Sequence, residues 1–324
     1  MTTLWDTTGT AVVQALAAER RTGGGVTSGL ALTLVVVLDE KDVGDVEAAV
    51  RVAASRHPMR VLAVIRRQVE APVPRLDAEV EIGGRYGPVE SVVLRMYGRL
   101  ALHAESVTLP LLAPDAPVVT YFYSQTPDVI AEDPLGVFAG RRITNVIRDQ
   151  DPSAALKQRA RDYRPGDTDL TWTVITPWRA ALASAFDTVR SAATAVTVHG
   201  NPLDPSAQLL AGWLSSRLGL YVPVDHAEGK YISSVSLSFP DGLDISMRNE
   251  NYKLIMSRTG QRDTIAPFPN RSTGDLLAEE LRRLDDDDIY AQALGAVTGE
   301  TGLEDRDPQR QHIWKDPAMT GKSN

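Results

Sequence analysis

The sequence contains no cysteine among its 324 residues. A chain without thiols cannot form disulfides, thiolate metal sites, cysteine nucleophiles or thiol-based redox switches. Long hydrophobic runs are also missing, since the longest, at 30–38, falls far short of the ~20 residues of a transmembrane helix. The N-terminus lacks the basic start and apolar run of a signal peptide. We therefore expect a cytoplasmic protein.

The charge balance argues against two classes of partner. The formal net charge is −8, and the sequence pI is near 5.2. An acidic chain of this kind is not expected to bind nucleic acid or an anionic membrane as its main partner. Hydrophobic residues make up 43% of the sequence, which is enough for a core in each of two domains of ordinary size.

The first half of the sequence predicts a mixed sheet with flanking helices. Helical spacing at 10–21 is followed by an apolar strand at 30–38, a helix within 42–57 and a strand at 60–65. Strand, helix and strand with short connections predict a right-handed βαβ unit with parallel strands. Further strands are predicted at 75–82, 89–97, 116–123 and 141–149, and a helix with Asp151 as its cap at 151–163.

The second half predicts another α/β domain. It opens with one long helix at 169–186, and a second helix at 204–219 again begins with Asp-Pro. Strands are predicted at 192–200, 231–239, 242–248 and 251–257, the last three as an antiparallel meander, with Asp241-Gly242 as the hairpin turn between its first two strands. Closing helices are predicted at 272–284 and 286–297. The predicted fold is therefore α/β with two domains, 1–164 and 165–298, followed by a polar, flexible tail at 299–324.

No catalytic, cofactor-binding or metal-binding residue emerges from the motifs. The glycine run at 23–25 precedes a strand, whereas phosphate-binding glycine loops follow a strand and open a helix. There is no serine-hydrolase elbow, and none of the five histidines lies at metal-ligand spacing from another. His199, at the end of a strand, is the best-placed histidine for a ligand contact. The acidic run Asp285–Asp288 fits a helix start better than a cation site.

Two tryptophans stand out on the predicted helix at 169–186. Trp178 lies in the middle of the apolar arc and is predicted to be core. Trp172 lies at the rim of the arc beside Arg179, and both residue types are enriched at binding hot spots, so this pair is a candidate partner-binding site. The alternative is that Trp172 fills a crevice between the domains. Pro177 either bends this helix or restarts it with Thr176 as the cap.

A second candidate site combines Arg141 and Arg142 with Tyr121 and Tyr123. Arginine suits phosphate recognition, and the tyrosines end the preceding predicted strand, so these four residues are candidate phosphate or ligand contacts. Arg142 has the alternative role of covering a sheet edge. This site supports the hypothesis of a phosphosugar-binding enzyme or metabolite sensor.

Several segments together resemble a known family. "LPLLAPDAPVV" at 109–119, "EDPLGVFAGRRIT" at 132–144 and "YRPGDTDLTWT" at 163–173 are similar to the actinobacterial OpcA proteins, also called glucose-6-phosphate dehydrogenase assembly proteins. The likeness runs from about residue 20 to 300. It implies a non-catalytic assembly factor or allosteric activator that binds glucose-6-phosphate dehydrogenase, promotes its active form and thereby controls NADPH supply.

The resemblance leaves the means of control open. In cyanobacterial relatives activation is described as thiol-dependent, and this chain has no cysteine to operate such a mechanism. The resemblance supplies no contact residues. A blander alternative is an inert structural subunit that binds the dehydrogenase without changing its kinetics.

Overall fold

A computed structural model describes residues 1–22, 29–124, 126–187, 189–229 and 231–309. Its two mixed sheets with flanking helices confirm the predicted α/β class. The strands are β1 Thr2–Leu4, β2 Leu32–Val37, β3 Met59–Arg67, β4 Arg75–Ile82, β5 Glu90–Tyr97, β6 Val118–Phe122, β7 Arg141–Thr144, β8 Asp167–Asp169, β9 Ala195–Gly200, β10 Val224–His226, β11 Ser234–Ser238, β12 Asp244–Glu250, β13 Lys253–Arg258 and β14 Thr264–Pro267.

Helices lie between most of these strands. They are α1 Gly9–Thr22, α2 Val43–Ala54, α3 Arg99–Leu102, α4 Ala104–Thr108, α5 Pro134–Val137, α6 Pro152–Asp162, α7 Leu170–Val174, α8 Thr176–Phe186, α9 Pro205–Leu218, α10 Thr273–Glu280 and α11 Asp288–Thr298. Short 3₁₀ turns connect several of them. No helix in these described ranges combines the length and the apolar composition needed to cross a bilayer.

Contacts divide the chain into two compact units. The first unit contains Met1–Gly44, Pro58–Arg142 and the described residues from Asp307, and the second contains Asp45–His57 and Ile143–Arg306. Just after α11, Leu303 is only 1% exposed, and Arg306 Nη1 donates to the carbonyl of Ala160 at 2.8 Å, so this stretch packs within the second unit. The domain boundary at 164/165 and the flexible tail stay predictions, and residues 310–324 lie outside the described ranges.

A parallel core forms the centre of the first sheet. The eight strands lie in the order β1-β4-β5-β3-β2-β6-β7-β8, and β2, β3, β5 and β6 run parallel. All six residues of β2 are buried, as expected for a strand covered on both faces. The predicted βαβ unit is confirmed by the parallel pairing of β2 with β3. Across the sheet these four strands lie in the order β5-β3-β2-β6. Numbered along the chain, they are the third, second, first and fourth, which is the order of doubly wound α/β folds.

Antiparallel strands extend this sheet on the β5 side. β4 pairs with β5, and β1 pairs with β4 through Thr2 and Val80. Gly83 and Gly87, in the turn between β4 and β5, have positive φ, +67° and +92°. The sequence did not predict β1, because three residues are too few for an alternating pattern to be recognised.

The second sheet confirms the predicted meander. Its order is β10-β9-β11-β12-β13-β14, antiparallel except for the parallel β10-β9 pair. One face packs on a core that includes residues of α8, α9 and α11, with Val198, Leu237 and Met247 at its centre. Asp241-Gly242 forms the predicted turn, with Gly242 at φ +70°.

The prediction of a single long helix at 169–186 is wrong. The structure has α7 capped by the Asp169 side chain, then a break at Ile175 (ψ 1°), then α8 with Pro177 in its first turn. A proline in that position lacks only an N–H that has no intrahelical partner, so it starts a helix readily. The restart alternative therefore holds, but the residue before α8 is Ile175, which makes no side-chain cap, and Thr176 is the first helical residue.

Candidate functional site

Trp172 and Arg179, the candidate partner-binding pair, lie together inside the second unit. The Trp172 side chain is 2% exposed, and its Nε1 donates to Asp287 Oδ2 at 2.8 Å. The Arg179 guanidinium carbon lies 3.6 Å from the centroid of the Trp172 ring, while Tyr290 packs against that ring at 5.7 Å. This burial fits the packing interpretation and leaves no surface of Trp172 for a partner in this structure, which corrects the expectation of an exposed anchor.

Arg179 is held in place by the same surroundings. Burial lowers the pKa of the Arg179 guanidinium, and the nearby carboxylates of Asp287 and Glu279 oppose that shift. Its Nη2 donates to Thr176 Oγ1 at 3.1 Å. Stacking on a tryptophan ring is a favourable position for a partly desolvated cation. The pair therefore acts as a clamp between α7, α8 and the start of α11.

The four candidate phosphate contacts are also buried. Arg141 and Arg142 are 3% and 0% exposed, and Tyr121 and Tyr123 are 1% and 4% exposed. Arg142 Nη1 donates to the Ala139 carbonyl at 2.6 Å, and the two tyrosine rings meet edge to face at 5.7 Å. An accessible arginine pair for a phosphosugar was expected here; the structure instead places these side chains in the packing around β6 and β7.

Histidines and carboxylates form no reactive cluster within the described residues. His57 Nε2 lies 2.7 Å from the Ala278 carbonyl, and His199 Nε2 lies 3.0 Å from Ser236 Oγ. In the part of the chain that the structure describes, no group of three His, Asp or Glu side chains is placed to hold a metal ion. Asp287 caps α11 by accepting from the Tyr290 N–H, which confirms the predicted helix start. His312 lies outside the described residues.

The position where this strand order usually binds a ligand lies between β2 and β6. From β2 the chain proceeds to β3 on one side, and it returns to β6 on the other side, so the carboxyl ends of β2 and β6 flank the switch point. Two hydrogen bonds join the loops there: Ser124 Oγ accepts from the Asp39 N–H at 3.1 Å and donates to Asp42 Oδ2 at 2.6 Å. We call Asp39, Asp42 and Ser124 the switch-point bridge.

The switch-point bridge is unsuited to a phosphate. The loop after β2 carries Asp39, Glu40 and Asp42, and Asp45 lies in the first turn of α2. A dinucleotide fold places the negative pyrophosphate at this helix N-terminus, beside glycines that let it approach the backbone. Here the protein's own carboxylates take up the favourable end of the helix dipole. The absence of a glycine-rich phosphate motif could be seen in the sequence. The position of the switch point, however, is identified only by the strand order.

A cavity of about 510 Å³ opens near the carboxyl ends of β3 and β5 in the first unit. Its lining is mostly apolar, including Val69, Leu102 and Val129, with Arg66 and Asp133 as a charged pair. Arg66 donates to both oxygens of Asp133, at 2.7 and 2.8 Å, and Asp133 also caps α5. These two side chains fix each other, and the lining also includes the carboxylates of Asp128 and Glu132. This cavity was not predicted from the sequence, because its residues come from three separate segments.

Comparison with protein families decides the assignment. The model of the glucose-6-phosphate dehydrogenase subunit N-terminal domain matches residues 50–161, and that of the C-terminal domain matches residues 165–294. The chain belongs to the OpcA family of glucose-6-phosphate dehydrogenase subunits. The two family domains together cover most of the chain, and the resemblance noted in the sequence is confirmed. Membership associates the chain with that dehydrogenase and its pathway.

Other comparisons add little to the family assignment. No curated protein matches the chain. Among solved structures, the MviM dehydrogenase of Clostridium difficile has 7% identity and a TM-score of 0.35, with 85% of this chain and 98% of that chain covered. The WlbA dehydrogenase of Chromobacterium violaceum, solved with NADH and UDP-GlcNAcA, has 10% identity and a TM-score of 0.30, with 85% and 88% covered. Similarity this low supports no conclusion about function.

Proposed function

We propose that this chain is a non-catalytic subunit that binds glucose-6-phosphate dehydrogenase and promotes its active form in the oxidative pentose phosphate pathway. The observation that carries the proposal is the match of both domains to the family of subunits of that enzyme. The proposed partner is a protein, and the proposed effect is a change in that protein's conformational or oligomeric equilibrium.

The geometry of the first unit supports a role without a bound dinucleotide. Its parallel strands have the order of a nucleotide-binding fold, yet the switch-point bridge puts carboxylates where phosphates would lie. The four buried side chains around β6 and β7 likewise offer no open anion site. These features favour the assembly hypothesis over the phosphosugar enzyme or sensor.

Activation by contact requires a difference in affinity. A subunit that binds two states of the dehydrogenase equally well does not change the ratio of their populations, however tightly it binds. The proposal therefore requires tighter binding to the active form, which mass action then populates. Because the chain has no cysteine, its own contribution to this control does not depend on thiol oxidation.

Size-exclusion chromatography of the purified chain with the dehydrogenase of the same cell tests the proposal. We expect one complex at micromolar concentration and a higher rate of NADP⁺ reduction than with dehydrogenase alone. An unrelated acidic protein at equal concentration serves as the control. Separate elution of the two proteins would contradict the proposal, and a complex with unchanged kinetics would favour the inert structural subunit.

A further inference from the structure

Tight turns join the antiparallel strands β11 to β14 in the second unit. The turn between β11 and β12 contains Gly242 at φ +70°, and the turn between β13 and β14 contains Gly260 at φ +73°. Glycine enters this left-handed region without a steric penalty, because it has no Cβ. Both turns therefore have the residue that their backbone conformation favours.

The remaining turn, between β12 and β13, has a tyrosine in the same backbone region. Glu250 pairs with Lys253, so Asn251 and Tyr252 form a two-residue connection. Their φ values are +49° and +61°, as in a type I′ turn, whose favoured sequence is Asn-Gly. Asparagine tolerates this region, whereas a side chain as large as that of tyrosine is strained there. Tyr252 thus adopts a conformation for which the two neighbouring turns use glycine.

Packing of the Tyr252 side chain does not offset this strain. Tyr252 is 70% exposed, and within the described residues its side chain makes no hydrogen bond or ring contact. Residues held in sparsely populated backbone conformations lower stability, and they cluster at functional sites. A conformation that costs stability and buries nothing indicates that the exposed ring has a function of its own.

The backbone around Tyr252 is held in place. The Tyr252 carbonyl accepts from the Phe268 N–H at 2.8 Å, and the Phe268 ring packs edge to face on Trp178 at 5.3 Å. Because Trp178 is buried in the core of the second unit, the tip of the hairpin is anchored to that core. A tyrosine side chain has only two torsions, so a tyrosine on an anchored turn loses little conformational freedom when a partner binds.

We propose that Tyr252 contacts the dehydrogenase and inserts into a pocket on its surface, an inference that rests on the proposed function. Tyrosine is enriched among the residues that dominate binding energy, and such residues fill pockets on the partner. The matching pocket has apolar walls for the ring and a hydrogen-bonding group for the hydroxyl, because the two ends of a tyrosine differ in polarity. Tyr221 is more exposed, at 88%, but its φ is not positive, so it lacks the strain that distinguishes Tyr252.

Replacement of Tyr252 by glycine tests both the strain and the contact. Tyr252→Gly gives this turn the favoured Asn-Gly sequence, so we expect the melting temperature to rise by about 2 °C or more. The same variant should bind the dehydrogenase at least about tenfold more weakly in isothermal titration calorimetry with the full-length chain. Tyr252→Phe retains the ring and should keep most of the affinity.

Tyr221→Gly is the matched control, because it makes the same change at an exposed tyrosine without positive φ. It should neither raise the melting temperature nor weaken the complex. For Tyr252→Gly, an unchanged affinity or a melting temperature that does not rise would overturn the inference. The wild-type titration distinguishes this failure from that of the proposed function. If the wild type forms no complex, both fail, whereas a wild-type complex that Tyr252→Gly forms equally tightly overturns only the role of Tyr252.

Discussion

The guanidinium of Arg179 stacks on the ring of Trp172, with its central carbon 3.6 Å from the ring centroid. The sequence placed these two residues on one face of a helix and indicated a partner-binding pair. The structure brings them together across the break between α7 and α8, with Asp287 hydrogen-bonded to the indole N–H. The contact is thus a packing element of the second unit.

Truncation of Trp172 should cost as much stability as truncation of Trp178. Both are nearly fully buried, and replacing a buried tryptophan by alanine costs about 3–5 kcal/mol. We expect Trp172→Ala and Trp178→Ala each to lower the urea midpoint of the second unit. Trp5→Ala is the control, since Trp5 is 67% exposed. Unchanged stability of Trp172→Ala together with weaker dehydrogenase binding would restore the anchor hypothesis.

Arg142→Ala should lower the stability of the first unit and should have no effect on sugar-phosphate binding. The change removes a buried donor from the Ala139 carbonyl, and a buried group left without its partner costs about 1–3 kcal/mol. We expect a lower melting temperature for the variant, and no shift of the wild type with glucose 6-phosphate or 6-phosphogluconate. Lys41→Ala, at an exposed position, should behave as wild type. A sugar-phosphate shift in the wild type that Arg142→Ala removes would contradict this account.

NADPH should leave the melting temperature of the chain unchanged. The carboxylates of Asp39 and Asp42 lie at the start of α2, where a dinucleotide phosphate would be repelled. Differential scanning fluorimetry with millimolar NADPH and NADP⁺ measures this, and the dehydrogenase serves as the positive control. If a stabilisation appears and disappears in Ser124→Tyr, the switch point is a working nucleotide site and the assignment is wrong.

Acid should weaken the first unit partly through Asp77. Burial acts to raise the pKa of the Asp77 carboxyl, but hydrogen bonds from the Arg75 guanidinium and the Asp6 N–H outweigh it and hold the pKa below the ordinary 3.8. A depressed pKa adds stability that is fully present above 3.8 and is lost as the pH falls through the folded-state pKa. Asp77→Asn should therefore cost about 1–2 kcal/mol at pH 7.

Urea unfolding at a series of pH values checks the role of Asp77. The difference in free energy of unfolding between wild type and Asp77→Asn should be constant from pH 7 to about 5. It should become smaller below the ordinary pKa of an aspartate carboxyl. Glu105→Gln, on α4, is the control for the loss of a single carboxylate elsewhere in the first unit. If this difference in free energy of unfolding stays constant down to pH 2.5, Asp77 contributes to stability through packing and not through its charge.

Periodicity and cap residues predicted most of the regular structure. The buried strand β2, the Asp-Pro starts of α6 and α9, and the turn at Gly242 are local features, and each appears as expected. The burial of Trp172 was not predictable in this way, because its neighbours Asp287 and Tyr290 come from more than a hundred residues further along the chain. A helical arc shows which side chains share a face, but not which distant segment covers its rim.

For the candidate site, the sequence predicted only which motifs are missing. Missing glycine, nucleophile and metal motifs indicated a chain without catalytic machinery. The switch-point bridge, however, depends on strand order, which places Ser124 beside the loop that follows β2. Arg141 and Arg142 were predicted as phosphate contacts because arginine suits phosphate recognition, but the structure buries both side chains.

We propose that this chain changes the activity of the dehydrogenase by contact alone. The most direct measurement is the initial rate of NADP⁺ reduction at a fixed, low dehydrogenase concentration as this chain is titrated in, beside the same titration with no dehydrogenase. We expect a saturable rise in rate whose midpoint equals the dissociation constant of the complex measured by light scattering, and no turnover by the chain alone. A flat titration, or NADP⁺ reduction by the chain unaided, would contradict it.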